Sequence, residues 1–65
     1  HPMTGPDLRA WRLSHKLRLI DLAALVGVSA LSIWRWEMVG RRPQPTAQRA
    51  LDRAVRKVER VAGRR

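Results

Sequence analysis

The chain has no cysteine, no phenylalanine and no tyrosine among its 65 residues. Without cysteine, neither a disulfide nor a cysteine-ligated zinc ion can stabilise a domain of this size. One small domain must therefore depend on close helix packing, on oligomerisation, or on both. The three tryptophans are the only aromatic residues of the Phe, Trp and Tyr class, and two of them, Trp34 and Trp36, lie within one helical turn.

Acidic residues are also scarce, because five Asp and Glu stand against 14 Lys and Arg, which gives a formal net charge of +9 and a pI of about 12.0. An excess of this size predicts a polyanionic partner, with nucleic acid first and an anionic membrane surface second. Solubility alone needs much less charge. A solvated basic face with no partner remains the alternative.

Long apolar runs are missing as well. No stretch approaches the roughly 20 residues that a membrane-spanning helix needs, and the first residues lack the apolar segment of a signal peptide. We therefore expect a cytoplasmic protein. Residues 1–3 are interpreted as a tag remnant followed by the natural start at Met3, residues 4–62 as the folded domain, and residues 63–65 as a basic tail.

Catalytic patterns are absent too, since the sequence has no glycine-rich phosphate loop, no cysteine nucleophile and no paired carboxylates. His15 is interpreted as a helix-end residue and not as a catalyst or ligand. We expect neither an enzyme nor a cofactor, metal site or small-molecule substrate.

Capping residues and glycines divide the chain into helices. Thr4 and Asp7 have the spacing of a capping box and predict a first helix over residues 6–15. A second helix is predicted over Leu19–Val26, ended by Gly27. Ser29 then caps a third helix that reaches residue 38 or 39, where Gly40 stops it.

Two prolines make residues 41–45 a linker, because neither fits a helix interior. The last helix is predicted from residue 45 or 46 to residue 61 or 62, and no segment has the alternation of a strand. The sequence therefore predicts an all-α fold, a compact bundle of four or five helices.

A short helix, a glycine, two further residues and a capped helix form the outline of a helix-turn-helix. Gly27 permits the sharp turn, and Ala23 lets the two helices approach closely. Val28 and Ile33 are expected to be buried beneath the turn, where Leu22 and Val26 meet them.

The segment LRLIDLAALVGVSALSIWRWEMVG resembles the helix-turn-helix of the Cro/cI-type, or XRE, family of phage and bacterial regulators, and the resemblance extends over about residues 4–55. The matching positions are Leu17, Asp21-Leu22-Ala23, Val26-Gly27-Val28-Ser29, Ser32-Ile33 and Arg35-Trp36-Glu37. The sequence departs from the family pattern at Arg18, where the family has a polar cap, and at Leu19, where it has glutamine. Two residues instead of one separate Glu37 from Gly40.

The resemblance implies a lambda-repressor-like fold and a sequence-specific regulator of transcription that binds double-stranded DNA. It favours a repressor that occupies an operator or promoter in the cytoplasm of a bacterial or phage-infected cell. Two alternatives stay open: an antitoxin-type module that binds both DNA and protein, and a basic amphipathic protein of the membrane surface.

In a helix-turn-helix the second helix enters the major groove, here residues 29–39. Four residues are predicted to read bases: Ala30, Leu31, Ser32 and Arg35. Arg35 would donate two hydrogen bonds to a guanine; a surface salt bridge is its alternative, and packing on its own protein is the alternative for Leu31. Contacts with the DNA backbone are predicted for six residues: Lys16, Arg18, Ser29, Trp34, Arg41 and Arg42. For Trp34, burial in a partner interface is the alternative.

The resemblance further implies an ion pair between Arg12 and Glu37. The last helix has more apolar residues than one domain face needs, so part of it is predicted to pair with a second copy. The predicted dimer contacts are Val55, Val58, Val61 and Ala62. A homodimer, formed in solution or only on DNA, would read a palindromic operator; packing of this helix on its own domain is the alternative.

Overall fold

The computed structural model describes residues 3–63, and over this range the chain is helical with no β-strand. The helices are α1 (Gly5–Ser14), α2 (Leu19–Val26), α3 (Ala30–Trp34) and α4 (Pro45–Ala62), and α3 continues directly into a π-helical turn, Arg35–Val39. The prediction of an all-α fold is confirmed. His1 and Pro2 of the predicted tag remnant, and Arg64 and Arg65 of the predicted basic tail, lie outside the described residues.

Each of the first three helices begins with a local side-chain hydrogen bond. In α1 the predicted capping box is present, because the Asp7 N–H donates to Thr4 Oγ1 and the Thr4 N–H to Asp7 Oδ2, both at 3.2 Å. The Ser32 N–H donates to Ser29 Oγ at 3.2 Å at the start of α3. At the start of α2, the Arg18 N–H donates to the Asp21 carboxylate at 2.8 Å. These bonds satisfy donors at the helix starts. Helix α1 begins and ends one residue earlier than predicted.

The third helix differs from the prediction in its second half. It was expected to stay α-helical to residue 38 or 39, but after Trp34 the turns widen, and the Gly40 N–H donates to the carbonyl of Arg35 five residues earlier. Gly40 then ends the turn with a left-handed φ of 82°. A π-turn accommodates one additional residue in a helix, which matches the additional residue between Glu37 and Gly40.

The core is formed mainly by one face of α2 and the residues packed against it. Leu22 and Ile33 are completely enclosed, and the other buried apolar residues are Leu8, Ala23, Val26, Leu51 and Ala54. Helix α2 packs on both α3 and α4, while α1 packs on the π-turn. Leu25, on the same helix, is exposed.

Helix α2 and the helical stretch Ala30–Val39 meet at 108°. Among residues 3–63, no single helix is both long and apolar enough to cross a membrane, and only this bent pair, taken together, has the length and composition to do so.

Gly5 marks the closest approach between α1 and the π-turn. A Cβ atom at this position would lie 2.6 Å from the carbonyl oxygen of Trp36 and 2.8 Å from that of Glu37. Both oxygens belong to the backbone, so a clash could be relieved only by moving α1 away from the π-turn.

Gly5→Ala is therefore expected to lower the free energy of unfolding by about 1–3 kcal/mol, the usual cost of overpacking, measured by urea denaturation. Gly63→Ala is the matched control, because its Cβ would meet the Glu59 carbonyl only at 3.3 Å, at the exposed end of α4. Equal losses for the two variants would contradict a close approach at Gly5.

Candidate nucleic-acid interface

The turn between α2 and α3 determines how α3 is presented. Gly27 has a left-handed φ of 89°, a conformation that glycine adopts without strain. Its N–H donates to the Ala23 carbonyl at 2.8 Å, and the Val28 N–H donates to the same carbonyl at 3.0 Å. Val28 and Ile33 then pack against the core from the far side of the turn. The turn therefore presents the opposite face of α3 to solvent.

The four residues predicted to read bases do not share one environment. Arg35 and Leu31 are exposed, so both can contact a partner. Ser32 is half-buried, and its hydroxyl lies 3.0 Å from that of Ser29. Ala30 is half-buried and packs against the core, which leaves little of its methyl group for a base. The exposed candidates are thus Leu31 and Arg35.

The residues predicted to contact the DNA backbone lie at the surface. All six are exposed: Lys16, Arg18, Ser29, Trp34, Arg41 and Arg42. Lys16 has a φ of 57°, a conformation that few residues other than glycine adopt, in the turn between α1 and α2. Arg41 follows the π-turn directly, and its N–H donates to the Arg35 carbonyl at 3.3 Å.

Arg18 already has an anionic partner within the chain. Its guanidinium donates to the Asp21 carboxylate at 3.0 and 3.1 Å. The hydrogen bond from the Arg18 side chain, followed by that from its backbone N–H, lowers the pKa of Asp21, and the same pairing raises the pKa of Arg18. Because an exposed pair is weak, Arg18 can leave Asp21 for a phosphate, but that exchange would reduce the benefit of the contact.

Arg12 and Glu37, which the resemblance pairs, form a buried bidentate ion pair. Arg12 Nε lies 2.7 Å from Glu37 Oε2, and Nη2 lies 3.0 Å from Oε1. The third nitrogen, Nη1, donates to the Leu17 carbonyl at 2.8 Å. The hydrogen bonds to Glu37 raise the pKa of Arg12, against the opposing effect of burial. One guanidinium thus joins α1, the α1–α2 turn and the π-turn, and so holds the third helical stretch in place.

Positive charge dominates because 14 Lys and Arg stand against five Asp and Glu, and each of the five acidic side chains also has a hydrogen-bond partner within the chain. Besides the two carboxylates paired with arginine, Asp7 accepts from the Thr4 N–H, Asp52 from Gln48 and Glu59 from Trp11. Among residues 3–63, the basic side chains other than Arg12 and Arg18 have no carboxylate within ion-pairing distance. The unpaired cations therefore remain available to an anionic partner.

The predicted dimer contacts fall into two groups. Val58, Val61 and Ala62 line an open apolar cleft of about 280 Å³ together with His15, Leu25 and Lys57. Val55 lies outside this cleft and packs, half-buried, against the core. Val55 therefore contacts its own domain, and its contribution to a dimer stays a prediction.

A contact between α1 and α4 could not be found from the sequence. Trp11 Nε1 donates to Glu59 Oε2 at 3.2 Å, and the Trp11 ring lies 4.6 Å from that of His15. Forty-eight residues separate Trp11 from Glu59, and no local pattern links them. Trp36 is half-buried against the core, whereas Trp34 is exposed.

Comparisons of the chain with protein-family models, with curated proteins and with solved structures give no match.

Proposed function

We propose that this protein is a sequence-specific regulator of transcription that binds double-stranded DNA, and that it represses by occupying an operator or promoter. In this proposal α2 and residues 29–39 form a helix-turn-helix of the Cro/cI type. The observation that carries the proposal is the exposure of Arg35 on a helix held at 108° to α2, in a chain of net charge +9.

The proposed complex divides recognition from affinity. Arg35 donates to the edge of a guanine, the commonest specific contact in the major groove, and Leu31 contacts a thymine methyl. Lys16, Arg41 and Arg42 neutralise phosphates. Phosphate contacts position the protein and make affinity salt-dependent, but they carry no sequence information.

A homodimer is part of the proposal, because two units on a twofold axis would read half-sites about one DNA turn apart. The cleft lined by Val58, Val61 and Ala62 supports this arrangement, since it leaves apolar side chains of α4 uncovered. The basic residues of α4 oppose close pairing in free solution. Assembly on the operator, where phosphates offset that repulsion, is favoured.

Selection from random double-stranded DNA tests the proposal. The expected result is a palindromic motif bound about 10³-fold or more tightly than unrelated duplex at physiological salt. Failure to enrich any motif at moderate salt would refute specific binding. Binding to anionic vesicles that duplex DNA does not displace would instead favour the membrane-surface alternative.

Arg35→Ala is expected to cost about 1–3 kcal/mol of binding free energy and to relax the choice at one base position. The measurement is a set of dissociation constants for the selected site and its single-base variants. Arg53→Ala is the matched control for the loss of one charge, because Arg53 is also exposed but lies on α4, away from residues 29–39. Equal weakening by Arg35→Ala on every sequence would mean that Arg35 holds a phosphate and reads no base.

A further inference from the structure

The solvent face of residues 30–39 carries large apolar side chains. Leu31 is 52% exposed, Trp34 43%, Met38 56% and Val39 53%. These four are nearly half of the nine large apolar residues that the described chain exposes, and they lie within nine consecutive positions. Exposed apolar side chains scattered singly are ordinary, but a contiguous group marks an interaction surface.

The spacing places three of these residues on one side of the helix, and Val39, next to Met38, extends the stripe that they form. Leu31, Trp34 and Met38 stand at i, i+3 and i+7, the positions that share one side of a helix. On the opposite side, Ile33 and Trp36 pack against the core. A helix that is apolar on both sides is normally covered on both sides. The domain's own core packs on the inner side, so we expect a binding partner to pack on the outer stripe.

Duplex DNA covers this stripe poorly. The base edges in the major groove present mainly hydrogen-bond donors and acceptors, with the thymine methyl as the apolar group. Such an edge matches Arg35 and one aliphatic contact, but it leaves most of Trp34, Met38 and Val39 without an apolar partner. A protein surface with its own apolar side chains would bury all four.

The charges around the stripe select the kind of protein. Arg35 lies beside the stripe, and Arg41 and Arg42 follow it directly. Between residues 29 and 44 the only acidic residue is Glu37, which is buried against Arg12. A second copy joined through this face would bring six exposed arginines together, which like-charge repulsion opposes. A partner with carboxylates around its apolar residues is electrostatically complementary.

We propose that the stripe Leu31, Trp34, Met38 and Val39 is the docking site for an acidic amphipathic helix of another protein. The apolar face of that helix packs on the stripe, as in other helix-in-groove complexes, and its carboxylates pair with Arg35, Arg41 and Arg42. Because the same face carries Arg35, the partner and duplex DNA exclude each other. Only this regulatory consequence rests on the proposed function; docking itself does not.

The test is a displayed library of helical peptides of about 15 residues, long enough for apolar anchors on successive turns, selected on the protein without DNA. Enriched peptides are expected to share apolar residues at i, i+3 or i+4 and i+7, with Asp or Glu elsewhere. Leu31→Gln/Met38→Gln should weaken the best peptide by about tenfold or more, the effect of truncating interface anchors. The same peptide should displace the duplex obtained by DNA selection.

Leu13→Gln/Ile20→Gln is the control, since both side chains are comparably exposed but lie on α1 and α2. Thermal unfolding of each variant verifies that it folds. Docking is refuted if no peptide is enriched more by the wild-type protein than by the Leu31→Gln/Met38→Gln variant. It is also refuted if the enriched peptides lack acidic residues. If the protein self-associates in sedimentation, or binds phosphatidylglycerol vesicles, and Leu31→Gln/Met38→Gln abolishes this, the stripe binds a second copy or a membrane, and docking of an acidic helix is refuted. Peptide binding without displacement of duplex refutes the regulatory part alone.

Because peptides are selected without DNA and duplexes without peptide, the two proposals can fail separately. Peptide binding without an enriched DNA motif would support the docking proposal and refute the proposed repressor function. A DNA motif with no peptide would do the reverse.

Discussion

Replacement of Glu37 by glutamine is expected to lower the free energy of unfolding by about 3–5 kcal/mol, the usual cost of leaving one charge of a buried pair without its partner. Glutamine preserves the size of the side chain, but it removes the negative charge opposite the guanidinium of Arg12, a residue that is only 7% exposed. A domain of about 60 residues has only roughly 3–9 kcal/mol of stability, so a large fraction of the molecules should unfold near room temperature.

Urea denaturation of the wild type and the variant gives this difference directly. Asp21→Asn is the matched control, because it removes the carboxylate from the exposed pair with Arg18, whose side chain is 80% exposed. Its effect should be much smaller, since solvent screens an exposed pair. Arg12→Met/Glu37→Met should recover much of the loss, because it leaves no buried charge. Similar losses of unfolding free energy in Glu37→Gln and Asp21→Asn would show that the buried pair contributes no more to stability than the exposed pair.

Ile33→Ala is expected to cost about 2–5 kcal/mol, the range for truncation of a large core side chain. Ile33 is 0% exposed and lies where α3 packs on α2, so the truncation leaves a cavity where the two helices cross. Ile33→Val, which removes one methylene group, should cost about 0.5–1.5 kcal/mol. Thermal or urea unfolding of the three proteins should therefore give a graded series.

Ile20→Ala provides a control with the same chemical change at a site that is 61% exposed. It should change stability by less than about 0.5 kcal/mol, as surface substitutions usually do. If Ile33→Ala were as mild as Ile20→Ala, α3 would not be fixed against α2 by this side chain. The 108° arrangement that presents Arg35 would then need another cause.

The sequence predicts those parts of the fold that depend on local chemistry. The capping box at Thr4, the caps and the glycine stops at Gly27 and Gly40 are properties of a few neighbouring residues, and the helix boundaries follow from them within about one residue. Burial of Leu22 and Ile33 follows from helical spacing. The Arg12–Glu37 pair was implied only by the resemblance, since 25 residues separate the two and no periodicity connects them.

Features that depend on how distant segments meet could not be predicted. The π-turn arises where the third helical stretch contacts α1, and the approach of Gly5 to its carbonyls is visible only once both elements are placed. The bond between Trp11 and Glu59 is equally distant. Ala30 and Val55 are half-buried against the core, which helical phase alone does not predict, because it does not show how much of a small or flanking side chain the neighbouring helices cover.

Trp34 and Trp36 illustrate both cases. Trp36 is three residues from Ile33, and this spacing correctly predicts its inward side. Trp34 was assigned to the DNA side or to a partner interface, and the structure leaves its ring exposed within an apolar stripe. The stripe becomes apparent only when Met38 and Val39 are seen to share that exposure.

The most direct test of DNA binding through residues 29–39 is to follow the three tryptophan indole N–H signals by NMR while the duplex obtained by selection is added. We expect a large change for Trp34 and for the backbone signals of Leu31 and Arg35. Little change is expected for Trp11, whose indole donates to Glu59 on the α1–α4 side. Changes confined to Trp11 and α4, with Trp34 and Arg35 unaffected, would contradict DNA binding through residues 29–39.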